Sequence, residues 1–226
     1  MPTIEGLRIR FRNDIFIPLT CHIRRKKLTN CEFTIISNNC WGGSVYEAYN
    51  LKKQSPTVGM FFMADDYIKF CKDIKYYLGQ EIKFIKPEES KYVKELSDNK
   101  NWGSYPIARL GDVELHLLHY HGTEDEIRAK WIRRVKRIHW DRLLIKYNDQ
   151  NGCTEDNLRD FLDLPCSNKI FFTCKDWNIA DSRIVRIHQF KEKRNVLASL
   201  EPFDKCKEVD IPYLLNNLKG DGEIRY

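Results

Sequence analysis

At 226 residues, with 42% hydrophobic and 12% aromatic side chains, the chain can fill one large or two small domains, which excludes disorder of its bulk. Its 38 Lys and Arg against 32 Asp and Glu leave a net charge of +6, which favours anionic partners without selecting one. Eight cysteines contain no C-x-x-C pair, the N-terminus has no apolar leader, and no run approaches the roughly 18 apolar residues of a spanning helix, so the chain reads as cytoplasmic with reduced thiols.

Residues 1–30 form a basic lead-in. Arg8, Arg10, Arg12, Arg24, Arg25, Lys26 and Lys27 flank the apolar patch Ile15 to Leu19, and Pro18 argues against a continuous helix. The segment is expected to be a solvated arm docked on the domain, with peripheral contact to an anionic membrane at its inner face as the functional alternative. Phe33 to Ile36 then reads as a buried strand running into Ser37-Asn38-Asn39-Cys40-Trp41-Gly42-Gly43, and Ser44 with Glu47 reads as a capping box opening a helix. Val58 to Met63 is expected as a second strand. Asp65 is expected to cap a helix over 66–78 that ends at Gly79, and Glu81 to Ile85 to be a third strand. That order suggests parallel pairing.

Pro87 to Trp102 is polar and is expected to be a loop with a short helix, acting as a mobile flap. Ile107 to Leu110 and Val113 to Leu118 flank Gly111-Asp112 as a type II′ hairpin. Thr123 and Glu126 form a capping box before a helix that aligns Ile127, Trp131, Val135 and Ile138. Leu143 to Tyr147 is a strand, Thr154 caps a helix over 155–163, and Ile170 to Thr173 and Ile184 to His188 are strands. A short helix is expected near Pro212 to Leu218. With no clear linker, the reading is an α/β domain over 31–190, mostly parallel with an antiparallel portion, and an extension over 191–226 packed on it.

The motifs Ile36 to Gly43, Ser55-Pro56-Thr57-Val58-Gly59, Asp66 to Phe70 and Lys75 to Leu78 occur in that order. Tyr105-Pro106, Leu110 to Val113, Leu118-His119-Tyr120 and Lys130 to Ile138 follow. Together they resemble the bacterial domain-of-unknown-function family DUF1919, whose members are described as exopolysaccharide biosynthesis proteins. The resemblance covers roughly residues 30–190. It implies a three-layered α/β fold akin to Rossmann-like nucleotide-binding sheets, and work beside capsule and lipopolysaccharide genes. It brings no catalytic residue with it. His116 stands where the family pattern leads one to expect an aromatic residue, which shifts attention to His119.

The chemistry suggested by the residues centres on the strand–loop–helix corner, where ligands of open α/β sheets bind. Cys40 near a helix N-terminus is a candidate nucleophile, His119 a candidate base, and Asp66, beside Asp65, a candidate acid that would hold a metal and a sugar diphosphate. Asn38, Asn39, Trp41, Gly42, Gly43 and His121 are candidate binding residues. His119 and His121, spaced H-x-H, would also suit a metal, although hydrogen bonding is the plainer role. Arg133, Arg134 and Arg137 on the basic helix would meet a phosphate-bearing substrate or a membrane surface. No recognised nucleic-acid motif occurs, and no cofactor is specified. The expected function is a glycosyl or other group transferase acting on a sugar or sugar-linked carrier in surface-polysaccharide assembly. The alternatives are a Cys-dependent acyltransferase and a non-catalytic glycan- or nucleotide-binding component of a capsule complex.

Overall fold

A computed structural model describes residues 4–190 and 193–220. Residues 191–192 and 221–226 of the expected C-terminal extension, and the side chain of Arg8, lie outside the described residues.

The N-terminal segment is helical. Helix α1 (Ile4–Phe11) passes through a π turn (Arg12–Phe16) into α2 (Ile17–Arg25). Pro18 does not break the helix: it sits at the junction directly after the π turn, where the Ile17 N–H donates to the Arg12 carbonyl in the wider turn. Strand β1 (Thr34–Ser37) leads into α3 (Trp41–Ala48), followed by α4 (Ala64–Lys72), α5 (Ile74–Gly79) and β2 (Ile82–Ile85). A 3₁₀ turn (Pro87–Glu89) and the short α6 (Val93–Leu96) precede the hairpin β3 (Ile107–Leu110) and β4 (Val113–His116). Next come α7 (Glu124–Val135), β5 (Leu143–Asn148), α8 (Glu155–Asp163), β6 (Lys169–Thr173), β7 (Ile184–Arg186) and α9 (Ile211–Asn216). No helix among the described residues is long and apolar enough to cross a membrane.

The fold is α/β. A four-stranded, wholly parallel sheet has the order β1-β5-β6-β7, and a separate antiparallel sheet has the order β2-β3-β4. Strands β1, β5 and β6 are buried on both faces, which is why they read as largely apolar runs, while β7 at the far edge is only partly buried. Ile36, Ile145, Tyr147 and Phe171 face one core, shared with α4, α8, α7 and the antiparallel sheet. Ile35, Leu144, Ile170 and Phe172 face the other, shared with α2, α3 and α9. The parallel sheet is thus the middle of three layers.

Three local expectations change. The helix expected over 66–78 is split at Asp73, whose carboxylate accepts the Tyr76 N–H and restarts the backbone as α5. Asp65 is not the cap of α4, which Met63 caps; it accepts a hydrogen bond from Asn157 instead. Residues 58–63 form no regular strand. Gly59 adopts φ +86°, and beyond it Phe62 donates to the Asn38 carbonyl while Phe61 makes a single antiparallel bridge to His116. That segment therefore stitches the two sheets together, and β1 does not pair with β2.

The hairpin turn is as expected: Gly111 has φ +58°, and Leu110 pairs with Val113. The Pro87–Trp102 segment is anchored at its root. Ser90 Oγ donates to Glu114 at 2.6 Å, Lys91 Nζ to Asp66 at 2.6 Å, and Arg109 pairs with Glu114.

Candidate functional site

Helix α3 starts earlier than the Ser44 capping box implies. Cys40 is its N-cap, and Asn39 Oδ1 accepts the Trp41 N–H, doing the work of a capping side chain from one residue upstream. Gly42 and Gly43 lie inside the helix and do not use positive φ. They are needed for close approach: a Cβ at Gly42 would meet Ile35 Cγ2 at 3.2 Å and one at Gly43 would meet Val58 Cγ1 at 2.9 Å. The helix end is thereby pressed onto β1 and the 55–60 segment. As the second and third helical residues, Gly42 and Gly43 have N–H groups without an intrahelical acceptor.

A crevice of about 610 Å³ opens at this corner. It is lined by Cys40, Gly43 and Glu47 from the α3 end, by Gly59 and His119, and by Gln150, with Asn13 of the N-terminal segment and Ser199 of the tail also in its lining. His119 arrives from beyond β4 of the antiparallel sheet, and its N–H donates to the Gly59 carbonyl at 2.7 Å. Gly59 is required there, since a Cβ would meet His119 Cβ at 3.2 Å in addition to the positive φ. Cys40 and His119 thus line one crevice, brought there by different sheets. β1, which leads into Cys40, is an edge strand, with β5 as its single neighbour in the parallel sheet.

Behind the crevice lies a buried polar network that connects β1, β5 and the tail. Lys146 Nζ on β5 meets Glu201 Oε1 at 2.6 Å, and both side chains are fully buried. Lys146 also donates to Asn39 Oδ1 at 3.0 Å; Asn39 and Asn148 donate to Glu201 at 3.2 and 2.8 Å. Burial pushes the Lys146 ammonium down and the Glu201 carboxyl up, and each charge opposes the shift of the other. Asp149 fixes the approach of the tail by accepting from Thr173 Oγ1, the Cys174 N–H and the Val196 N–H, each at 2.8 Å. Gln150 accepts from Asn39 and Asn148 and carries the network to the crevice wall.

This environment sets the chemistry of the two candidates. Burial first, and then the Glu201 charge, push the Cys40 thiol up to about 11, and its Sγ–H points at the Met60 carbonyl 3.9 Å away. The thiol is protonated at neutral pH, in contrast to an activated cysteine. Burial, and then the neighbouring His121, lower the pKa of His119, which leaves it as the neutral base form at pH 7.

Other expected residues lie elsewhere. Asn38 and Asn39 are buried behind the crevice rather than lining it, with Asn38 donating to Asn148 Oδ1 at 2.8 Å. Trp41 is fully buried in the core against Phe172, and its Nε1–H is satisfied by the Pro202 carbonyl. Asp66 does not line the crevice: it accepts from Lys91 and from the Glu114 N–H, tying α4 to β4. His121 is exposed outside the crevice lining.

The basic helix does not present one patch. Arg133 is exposed, and Arg137 reaches a separate groove with His139. Arg134 is buried, donating to the Val58 carbonyl at 2.6 Å and the Tyr120 hydroxyl at 2.8 Å, so it holds the crevice wall from behind rather than meeting an anion. Among the described residues no group of three or more His, Cys, Asp or Glu is placed to hold a metal ion.

Lys146, Asn148, Gln150 and Glu201 are not among the residues that the sequence marks as a site. The one signal available was Lys146 itself, a charge inside the apolar run Leu143 to Tyr147. A lysine there must find a buried partner.

A family model described as "Domain of unknown function (DUF1919)" matches residues 12–215. An "Uncharacterized protein" of Haemophilus influenzae (strain ATCC 51907 / DSM 11121 / KW20 / Rd) is 33% identical over 153 residues, which are 68% of this chain and 67% of that relative.

Proposed function

The chain belongs to the DUF1919 family, and from that premise we propose that it is a group transferase of bacterial surface-polysaccharide assembly, acting on a sugar or sugar-linked carrier. The observation that carries the reading is the crevice shared by Cys40 and His119 at the carboxyl end of β1. Crevices at the carboxyl ends of parallel strands are where α/β sheets of this kind take ligands, and the end of α3 offers N–H groups to a phosphate.

In this reading the donor phosphate lies against Gly43 and the start of α3, the donor sugar is held against His119 in the same crevice, and the acceptor hydroxyl meets that imidazole. The hydroxyl oxygen forms the new bond to the transferred group, and its proton passes to the neutral imidazole. The phosphate leaves with the bonding electron pair, stabilised by the helix N–H groups. Cys40 lines the site without attacking. Its elevated thiol pKa weighs against the acyltransferase alternative, which needs a thiolate.

The test is a thermal-shift screen of nucleotide diphosphate sugars against the full chain, with acyl-coenzyme A as a comparison. A donor present at about 100 times its Kd stabilises the fold by about 2.7 kcal/mol, an easily measured rise in Tm. A rise with a nucleotide sugar that disappears in His119→Ala supports the reading. No rise with any nucleotide sugar, or a rise with acyl-coenzyme A alone, contradicts it.

A further inference from the structure

The N-terminal helical segment carries an apolar stripe on its outer face. Leu7, Phe11, Ile15, Leu19 and Ile23 recur every fourth residue and are all exposed, Phe11 by 58% and Leu19 by 67%, with Phe16 beside them. A regular α-helix turns about 40° too far over each four-residue step, so such a stripe would wind around the axis. The π turn Arg12–Phe16 is wider than an α turn and takes up part of that drift in mid-segment, which keeps the stripe facing outward. The opposite face is occupied: Arg24 donates to the Ala48 carbonyl, Arg12 to the Ser199 carbonyl, and Ile17 packs in the core behind α3. Phe11 and Phe16 border a hollow shared with Gln189 and Leu200, and the stripe otherwise has no covering element among the described residues.

We infer that this face docks on an anionic lipid surface. Exposed Arg10 stands near one end of the stripe and exposed Arg25 and Lys26 at the other, and no ion pair among the described residues involves them. Asp14 is the one exposed acid between them among the described side chains. Apolar residues on one face with cations at its ends suit the boundary between acyl chains and anionic headgroups. A second copy of the chain suits this face poorly, because pairing two such helices in either direction sets cation against cation. Asn13 on the same segment lines the crevice, so a chain docked in this way brings the crevice close to the lipid surface.

Sedimentation of the full chain with phosphatidylcholine vesicles, with and without phosphatidylglycerol, tests the inference. Three basic residues near the surface correspond to about a hundredfold preference for the anionic vesicles. The preference is expected to fall as salt rises. The double substitution Phe11→Gln and Leu19→Gln, at exposed positions, is expected to abolish binding at an unchanged Tm. Should that variant lose its fold, Arg25→Glu with Lys26→Glu supplies the check, through loss of the anionic preference alone. Wild-type protein that stays in the supernatant with both vesicle types, or substituted but folded proteins that sediment like wild type, would overturn the inference. So would a concentration-dependent dimer in sedimentation velocity that the glutamine substitutions abolish while vesicle binding is absent.

Discussion

The parallel and the antiparallel sheet both bury charged side chains, and they do so to different ends. On the parallel sheet, Lys146 and Glu201 pair behind the crevice, and their asparagine and glutamine partners reach its wall. On the antiparallel sheet, Asp66 and Glu114 pair with the half-exposed Lys91 and Arg109 and pin the root of the Pro87–Trp102 segment without lining the crevice. Glu114 is held below the usual carboxylate range by its bonds from Ser90, Lys91 and Arg109, against the opposing effect of burial, whereas burial dominates at Asp66 and raises it. A buried charge is therefore a poor guide to a site by itself. What separates the two clusters is whether their partners open onto a cavity.

The largest effect is expected at the fully buried pair. Glu201→Ala strands the Lys146 charge and should cost about 3–5 kcal/mol in chemical denaturation, whereas Lys146→Met with Glu201→Leu should recover most of that loss. A single substitution that costs less than about 1 kcal/mol would show that the pair is not the clamp between tail and sheet.

Acid should reveal the antiparallel sheet next. His116 is fully buried, stacked on Phe61 with centroids 4.6 Å apart and edged by Tyr105, and neither ring nitrogen has a hydrogen-bond partner. Burial lowers its pKa to about 4 from the ordinary 6.5. The unfolded chain takes up this proton below about pH 6.5 and the folded chain only below about 4, so the native state is favoured in full above the window and loses about 3 kcal/mol across it as pH falls. His116→Phe keeps the stacked shape, removes two unpaired polar atoms, and should abolish that part of the acid sensitivity while leaving neutral-pH stability equal or higher. Denaturation midpoints that fall equally in both proteins between pH 6.5 and 4 would contradict this.

These two residues also mark what the sequence could and could not convey. His116 stood out through the family resemblance, which implies an aromatic residue at that position. The Thr123–Glu126 capping box and the Thr154 cap placed α7 and α8 correctly, since both are local interactions; the structure adds Asn157 as the partner of Thr154. Strand partners are not local. Nothing in the apolar run of residues 82–85 says that it pairs with β3 rather than β1. Glu201 lies far along the chain from Lys146, in a tail whose pattern is polar and mixed, so Lys146 in its apolar run signals a buried partner but nothing in either segment says which residue it is. Cys40 and His119 were legible as reactive residue types at the ends of extended segments, but the placement of Asn38, Asn39 and Trp41 behind the crevice depended on tertiary burial.

Smaller effects sharpen the same contrast. Asp66→Asn retains an acceptor for the Glu114 N–H and loses the charge opposite half-exposed Lys91, so it should cost about 1–2 kcal/mol in denaturant. Lys72→Ala removes an ion pair with Asp160 in which both side chains are about half exposed, and should change stability by less than about 0.5 kcal/mol. A cost at Lys72 as large as that at Glu201 would mean that ion pairing rather than burial orders these clusters.

The most direct measurement of the central claim is calorimetric titration of a nucleotide diphosphate sugar into wild-type, His119→Ala and Asp66→Asn proteins. Binding at the crevice predicts at least about a tenfold loss of affinity for His119→Ala, equivalent to about 1.4 kcal/mol, and none for Asp66→Asn. Affinity abolished by Asp66→Asn and unchanged by His119→Ala would move the site to the antiparallel sheet and contradict the account.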